Sequence, residues 1–452
     1  MYKKIVKNNI ITNRKLLNLL FNDRDCLFYI ACFLISFNAF PFSNFGLGAD
    51  KPLSVIPAVL YFLKMLLRGK LVFKSNMIKQ FTIIAVLMGI SLYLSLTKYY
   101  TLVGFSSAVG CWGSYIIYLG AFCSFVHNAD DQKIFNMVKC IFCSLWFSLI
   151  FGILEYLLLQ LHITSIYNVI LPFLRDNAFL ESNRIQLNFG ESGDAGQLLP
   201  GLYLPVILYL NNINYHFSIW EKAMIGLNVL LLLLYGKSAS FVLVGCFALL
   251  LYYDSYLKSY KLYRYIKPVI IILILVFSSS LIFSLSSFVD EEGPIGRVAR
   301  LFVNPEDAFG QDFSTATRIG LWIVTFKMFP SMFLVGTGWG NFGLVYPFYY
   351  NKIPRYFMTE EIIGKIGEQV HQTYSIISTS YTEGGILGIV WLLMFFYPMY
   401  KMIRKYPKVI PFVLVFIIIA LQQMITYVFA FIMIWLLLTE PKFCKFLQGD
   451  TK

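Results

Sequence analysis

Residues 370–393, VHQTYSIISTSYTEGGILGIVWLL, open with a histidine and a series of hydroxyl side chains and close as an uninterrupted apolar run. The second half is the start of what a lipid-spanning helix requires, about 20 apolar residues rising 1.5 Å each. The rest of the chain repeats that pattern. Hydrophobic residues make up 58% and charged residues 13%, with a mean hydropathy of +0.68, so the 452 residues divide into membrane spans and not into globular domains. Long apolar runs occur at 26–47, 77–96, 105–126, 134–159, 220–236, 266–288, 385–402 and 410–438, with shorter ones at 52–67, 197–210 and 238–253. The last long run carries Gln422 and Gln423 at its middle and reads as two short helices joined by a turn. The expected fold is therefore an all-α polytopic membrane protein of about 12 transmembrane helices, forming one integral domain over 1–452.

Charge placement agrees with that number. Cytoplasmic loops carry the excess of Lys and Arg, and a 12-span topology with both termini inside puts about two thirds of the 37 basic residues there. The outer face is left slightly acidic. The net charge of +13 is thus a signal of topology and not a nucleic-acid footprint. About 25 polar and basic residues precede the first apolar run and no small-residue cleavage site follows it, unlike a signal peptide. The eight cysteines lie in spans or on the inner side. Cys140 and Cys143 form a CxxC within a span, without further ligands, and read as small apolar side chains.

Two outward segments, 162–195 and 290–371, are too long to be turns and too rich in aromatics, glycine and paired charges to be disordered, so they form the expected active-site region. The first holds Arg175 and Arg184, the latter opening NRIQLNFGESGDAGQLLP with Glu191, Ser192 and Asp194. The second holds Arg297 and Arg300, then STATRIGLWIVTFKMF with Arg318, then GTGWGNFG at 336–343. The run after Arg318 is apolar on nearly every side except at Lys327, as for a helix in the membrane interface or packed under the loop. The glycine stretch matches neither a Walker A loop nor a dinucleotide fingerprint, which favours a flexible turn over a phosphate cradle.

If 371–382 is helical, His371, Tyr374, Ser375, Ser378 and Thr382 share one face, and such a stripe would line a protein cavity because lipid would not tolerate it. The other reading is a loop histidine followed by serines that satisfy helix backbone. Glu383 falls about 120° from His371 and is followed by Gly384 and Gly385, which assigns it to a different environment. Arginines at an interface suit phosphate or pyrophosphate, since guanidinium is always charged and bonds bidentately. A single outward histidine suits general-base work near neutral pH. The only DxD, Asp23-Arg24-Asp25, is in the inner tail, so a metal site is not expected and a diphosphate leaving group would be neutralised by arginines.

These stretches together resemble the O-antigen polymerases (Wzy type), within the O-antigen ligase and polymerase superfamily. GADKPLSVIP at 48–57 resembles their first outer loop, RIQLNFGESGDAG their Arg, Gly, Glu-Ser segment without its usual proline, and STATRIGLW and GTGWGNF their Arg-bearing helix start and following turn. VHQTYSIISTSYTEGGILGIVWLL resembles their His-Asn-x-Tyr to Glu-x-Gly-x-x-Gly signature, with Gln372 in place of Asn. The resemblance implies a GT-C-like, metal-independent and cofactor-free transferase of the bacterial inner membrane, acting at its periplasmic face. Donor and acceptor would be undecaprenyl-pyrophosphate-linked oligosaccharides, and the flippase and chain-length regulator of the same pathway would be its protein partners. It implies Arg184 and Arg318 as a pyrophosphate clamp and His371 as the base or orienting group for the acceptor hydroxyl. Glu191, Tyr374, Arg297 and Arg300 would contact substrate, as would Asp50, whose alternative role is capping the helix begun by Pro52. A ligase acting on lipid A–core is the nearest alternative. A polysaccharide flippase would explain the spans without catalysis, but transporters usually carry internal repeats, and none is evident here.

Overall fold

In the computed structural model the described residues are 25–37, 53–161, 163, 187, 192–234, 239–257, 313–351, 357, 363, 373, 375–422 and 429–449. The described residues are 84% helical and include no strand. The all-α expectation therefore holds, for the reason that apolar runs in lipid must satisfy every backbone group internally. Among the described residues four helical stretches are long and apolar enough to cross a membrane: Ser75–Tyr99, Val103–His127, Asp131–Leu158 and Ile376–Lys405. At 25 residues the first two would each extend about 37 Å, more than the ~30 Å hydrocarbon layer.

In chain order the elements are α1 (Cys26–Phe33), α2 (Val55–Leu67), α3 (Ser75–Leu94, continued by a π turn Ser95–Tyr99), α4 (Val103–His127), α5 (Asp131–Cys143), α6 (Leu145–Gln160), α7 (Ser192–Leu198) and, after a π turn, α8 (Leu204–Asn212). They continue as α9 (Ile219–Leu234), α10 (Ala239–Leu257), α11 (Phe313–Met332), the short α12 (Phe342–Val345) and α13 (Pro347–Tyr350), α14 (Ile376–Lys405), α15 (Ile410–Gln422), α16 (Phe429–Leu438) and α17 (Pro441–Gln448). The run at 410–438 does divide into two helices, α15 ending at Gln422. The run at 266–288 lies outside the described residues.

The core forms around α16, all ten of whose residues are buried. A helix apolar on every side belongs at the centre of a bundle, and α16 packs against α4, α14, α15 and α17. Aromatic stacking locks the layers around it. Phe395 of α14 lies 4.7 Å from Trp435 of α16, and Phe28 of α1 lies 4.4 Å from Phe125 of α4.

Polar clips tie the helix ends at one side of the bundle. Asp25, before α1, accepts from Tyr61 of α2 at 2.8 Å and from the Lys133 ammonium of α5 at 2.6 Å. Lys139 of α5 pairs with Glu221 of α9 at 2.6 Å, and Lys74 pairs with Glu440 at 3.1 Å. Lys442 Nζ donates to Ala129 O, and Asn212 donates to the Phe446 carbonyl at 2.8 Å, which anchors α17 to the same end.

Candidate active site

Of the residues expected to act on substrate, Arg318 is described. Arg184, His371, Glu191, Asp50, Tyr374, Arg297 and Arg300 lie outside the described residues. The site is built here from Arg318 and from the elements that carry the chain toward His371.

Arg318 sits half-buried in the second turn of α11. Leu321, Val324 and Met328 follow at helical spacing and bury one stripe of α11 against Phe342, Val345 and Tyr346. The apolar run after Arg318 is thus a packed helix. Its other side faces α14, where Tyr381 packs against Trp322, Phe326 and Phe329 and shares a 2.6 Å hydrogen bond with Thr325. Trp322, one turn after Arg318 on the same face, donates from Nε1 to the Leu421 carbonyl at 3.2 Å.

The helix expected over 371–382 begins later. Ser375 has extended backbone, φ −144° and ψ 130°, and caps α14 from outside, with Thr373 before it also non-helical. A shared helical face therefore does not extend back to Ser375, and Tyr374 and His371 lie outside the described residues. The hydroxyls that remain bond the backbone of their own helix: Ser378 and Thr379 to Ser375 O, Ser380 to Ile376 O, and Thr382 to Ser378 O at 2.6 Å. Ser378 and Thr382, two members of the expected polar stripe, thus satisfy helix backbone. The Ser375 hydroxyl reaches outward instead and donates to the Ala420 carbonyl at 2.9 Å. Ser375 and Trp322 thus cap successive carbonyls at the open end of α15, groups with no partner inside that helix.

α14 is broken nine residues after its start. Gly385 adopts φ 55° and ψ −142°, which strains any residue with a Cβ. Breaking a helix frees backbone groups that must find other partners. Here the partners come from GTGWG. Thr337 N–H donates to Thr382 O and Gly338 N–H to Glu383 O, both at 3.0 Å, and Gly340 N–H donates to Glu383 Oε2 at 2.9 Å. The expected flexible turn is a buried docking segment. Trp339 stacks on Trp112 of α4 at 4.0 Å while its backbone N–H donates to Ser91 of α3 at 2.6 Å. Gly340, at φ 88°, lies so close to α4 that a Cβ would fall 1.9 Å from the Gly104 carbonyl oxygen.

Glu383 is the residue that sequence periodicity set aside. Its side chain is 4% exposed, and no Lys or Arg pairs with it among the described residues. A second buried carboxylate is Glu155 of α6, whose Oε2 accepts from Leu187 N–H at 3.1 Å, three residues after Arg184 in sequence. Among the described residues no group of three His, Cys, Asp or Glu side chains is placed to hold a metal ion. Comparison of the chain with protein-family models and with curated proteins gives no match.

Proposed function

We propose that the chain is a bacterial inner-membrane glycosyltransferase that polymerises O-antigen repeat units carried on undecaprenyl pyrophosphate. The topology that goes with this reading has about 12 spans and both termini inside, with 162–195 and 290–371 on the periplasmic side. An acceptor sugar hydroxyl attacks the donor's anomeric carbon, the new C–O bond forms, and the bond to the lipid pyrophosphate breaks with its electron pair on the leaving oxygen. Arg184 and Arg318 hold that pyrophosphate by bidentate, charge-assisted contacts. His371 takes the hydroxyl proton. A single displacement inverts the anomeric configuration.

One observation carries the reading. Trp322, four residues after Arg318, and Ser375, four residues after His371, bond to the adjacent carbonyls of Leu421 and Ala420. Two segments distant in sequence, each bearing a residue suited to one half of this chemistry, are thereby tied to one helix end. A shared anchor of that kind favours a pyrophosphate clamp and a base that serve one reacting centre.

The test is deletion of the gene followed by gel analysis of surface lipopolysaccharide. The expected outcome is core bearing a single repeat and no ladder. Bare core with lipid-linked polymer accumulating would replace this reading with a ligase, and an unchanged ladder would remove both.

A further inference from the structure

We infer that Glu383 is a positioning residue: its carboxyl fastens 337–340 across the break in α14, and through that segment it holds the Arg318 helix in register with the half-helix that begins at Ile376, five residues after His371 in sequence. The importance of that register rests on the proposed polymerase reading. The fastening itself does not.

The argument begins with connectivity. α11 ends at Met332, whose carbonyl accepts from Gly336 N–H at 2.8 Å, so the docking segment is continuous with the Arg318 helix. That segment meets Thr382 and Glu383 through three backbone N–H groups. Two of the acceptors are carbonyls freed by the break, which any residue type would supply. The third is the Glu383 carboxyl, which depends on side chain alone. The half-helix on the other side starts at the Ser375 cap, so a shift at Glu383 is passed along a rigid element of about two turns toward His371.

Packing around the fastening leaves little room for an alternative register. A Cβ on Gly336 would fall 2.2 Å from the Glu383 carbonyl oxygen, and one on Gly385 would lie 2.8 Å from the Gly336 nitrogen. Asn341, next to Gly340, is held by Ser95 of the π turn after α3 at 3.2 Å and by the Thr337 carbonyl at 3.3 Å. The Phe342 backbone N–H also bonds this carboxyl, and a buried group acting only as an acceptor for backbone N–H groups should be replaceable by an amide oxygen but not by a methyl group.

The test uses the full-length chain in membranes, with its eight cysteines replaced and a single Thr337→Cys introduced, a position with no exposure. A Tyr100→Cys chain, at 84% exposure, is the labelled control. Thr337→Cys should resist a maleimide in the parent and with Glu383→Gln, and become labelled with Glu383→Ala. In the otherwise native chain, Glu383→Ala should lower ladder formation by roughly tenfold or more while Glu383→Gln stays within about threefold, with equal protein in the membrane. Unchanged labelling in Glu383→Ala overturns the fastening, and equal loss in Gln and Ala assigns the carboxyl a chemical role instead. If deleting the gene leaves the ladder intact, the polymerase reading fails and the labelling alone decides the fastening.

Discussion

Tyr381 and Thr325 share a hydrogen bond of 2.6 Å between α14 and α11. It is the central polar contact of an interface otherwise made of aromatic rings, with Trp322, Phe326 and Phe329 packed about Tyr381. Replacing Tyr381 by Phe keeps the rings and removes the bond, at a cost of about 1 kcal/mol. Tyr381→Ala removes both, at about 3–5 kcal/mol. Thermal unfolding of the detergent-solubilised protein, followed by size-exclusion chromatography, should show a small downward shift for Phe and a large one for Ala.

Gly340→Ala should be among the most damaging single-methyl additions to the chain. The new Cβ would fall 1.9 Å from a backbone oxygen of α4, and the φ of 88° penalises it further. Neither strain can be relieved by moving a side chain. The matched control is Gly226→Ala in α9, where nothing lies within 4 Å of the added Cβ. Yield and monodispersity after solubilisation should fall for the first and match the parent for the second.

Asp25 serves two partners at once, Tyr61 and Lys133. Its side chain is 6% exposed while that of Lys133 is 29% exposed, so Asp25→Ala takes an acceptor away from a partly buried cation and a buried phenol. The expected destabilisation is about 3 kcal/mol, and the Asp25→Ala, Lys133→Met pair should recover part of it. A double-mutant cycle on thermal midpoints would read the coupling, and a coupling of zero would remove the clip from the account.

Arg318 takes its place in the proposed chemistry from a planar fork that a lysine cannot reproduce. Arg318→Lys keeps the charge and should still cost about 2 kcal/mol, roughly thirtyfold in polymer formation, with membrane levels unchanged. Lys327→Ala, on the same helix, should leave the ladder at parent intensity. Equal ladders from Arg318→Lys and the parent would assign Arg318 to packing.

Much of the architecture was legible because lipid leaves a chain so few options. Apolar runs at 77–96, 105–126 and 134–159 fall inside helices, and Gln422 marks the end of α15 as expected. The candidate site was less legible because the angular reading of 371–383 assumed one continuous helix. With the start displaced to Ile376, an angle counted from His371 loses its meaning, and so does the exclusion of Glu383. The glycine stretch 336–343 was misjudged for a related reason. Glycine marks both loose chain and close backbone approach, and composition cannot tell the two apart without the facing surface. One signal was available: a second glycine cluster, Gly384 and Gly385, follows the carboxylate that the first one docks on.

The complete burial of α16 also bears on the order in which the molecule is made. This segment leaves the ribosome after α4, α14 and α15, three of the helices that pack on it, so it must enter the middle of elements already made. Before that moment Tyr118 and Phe395, which pack on Phe429 and Trp435 of α16, face an unfilled axis or turn to lipid. The earlier helices can therefore be inserted without being assembled, and the last apolar segment closes the bundle as a keystone closes an arch.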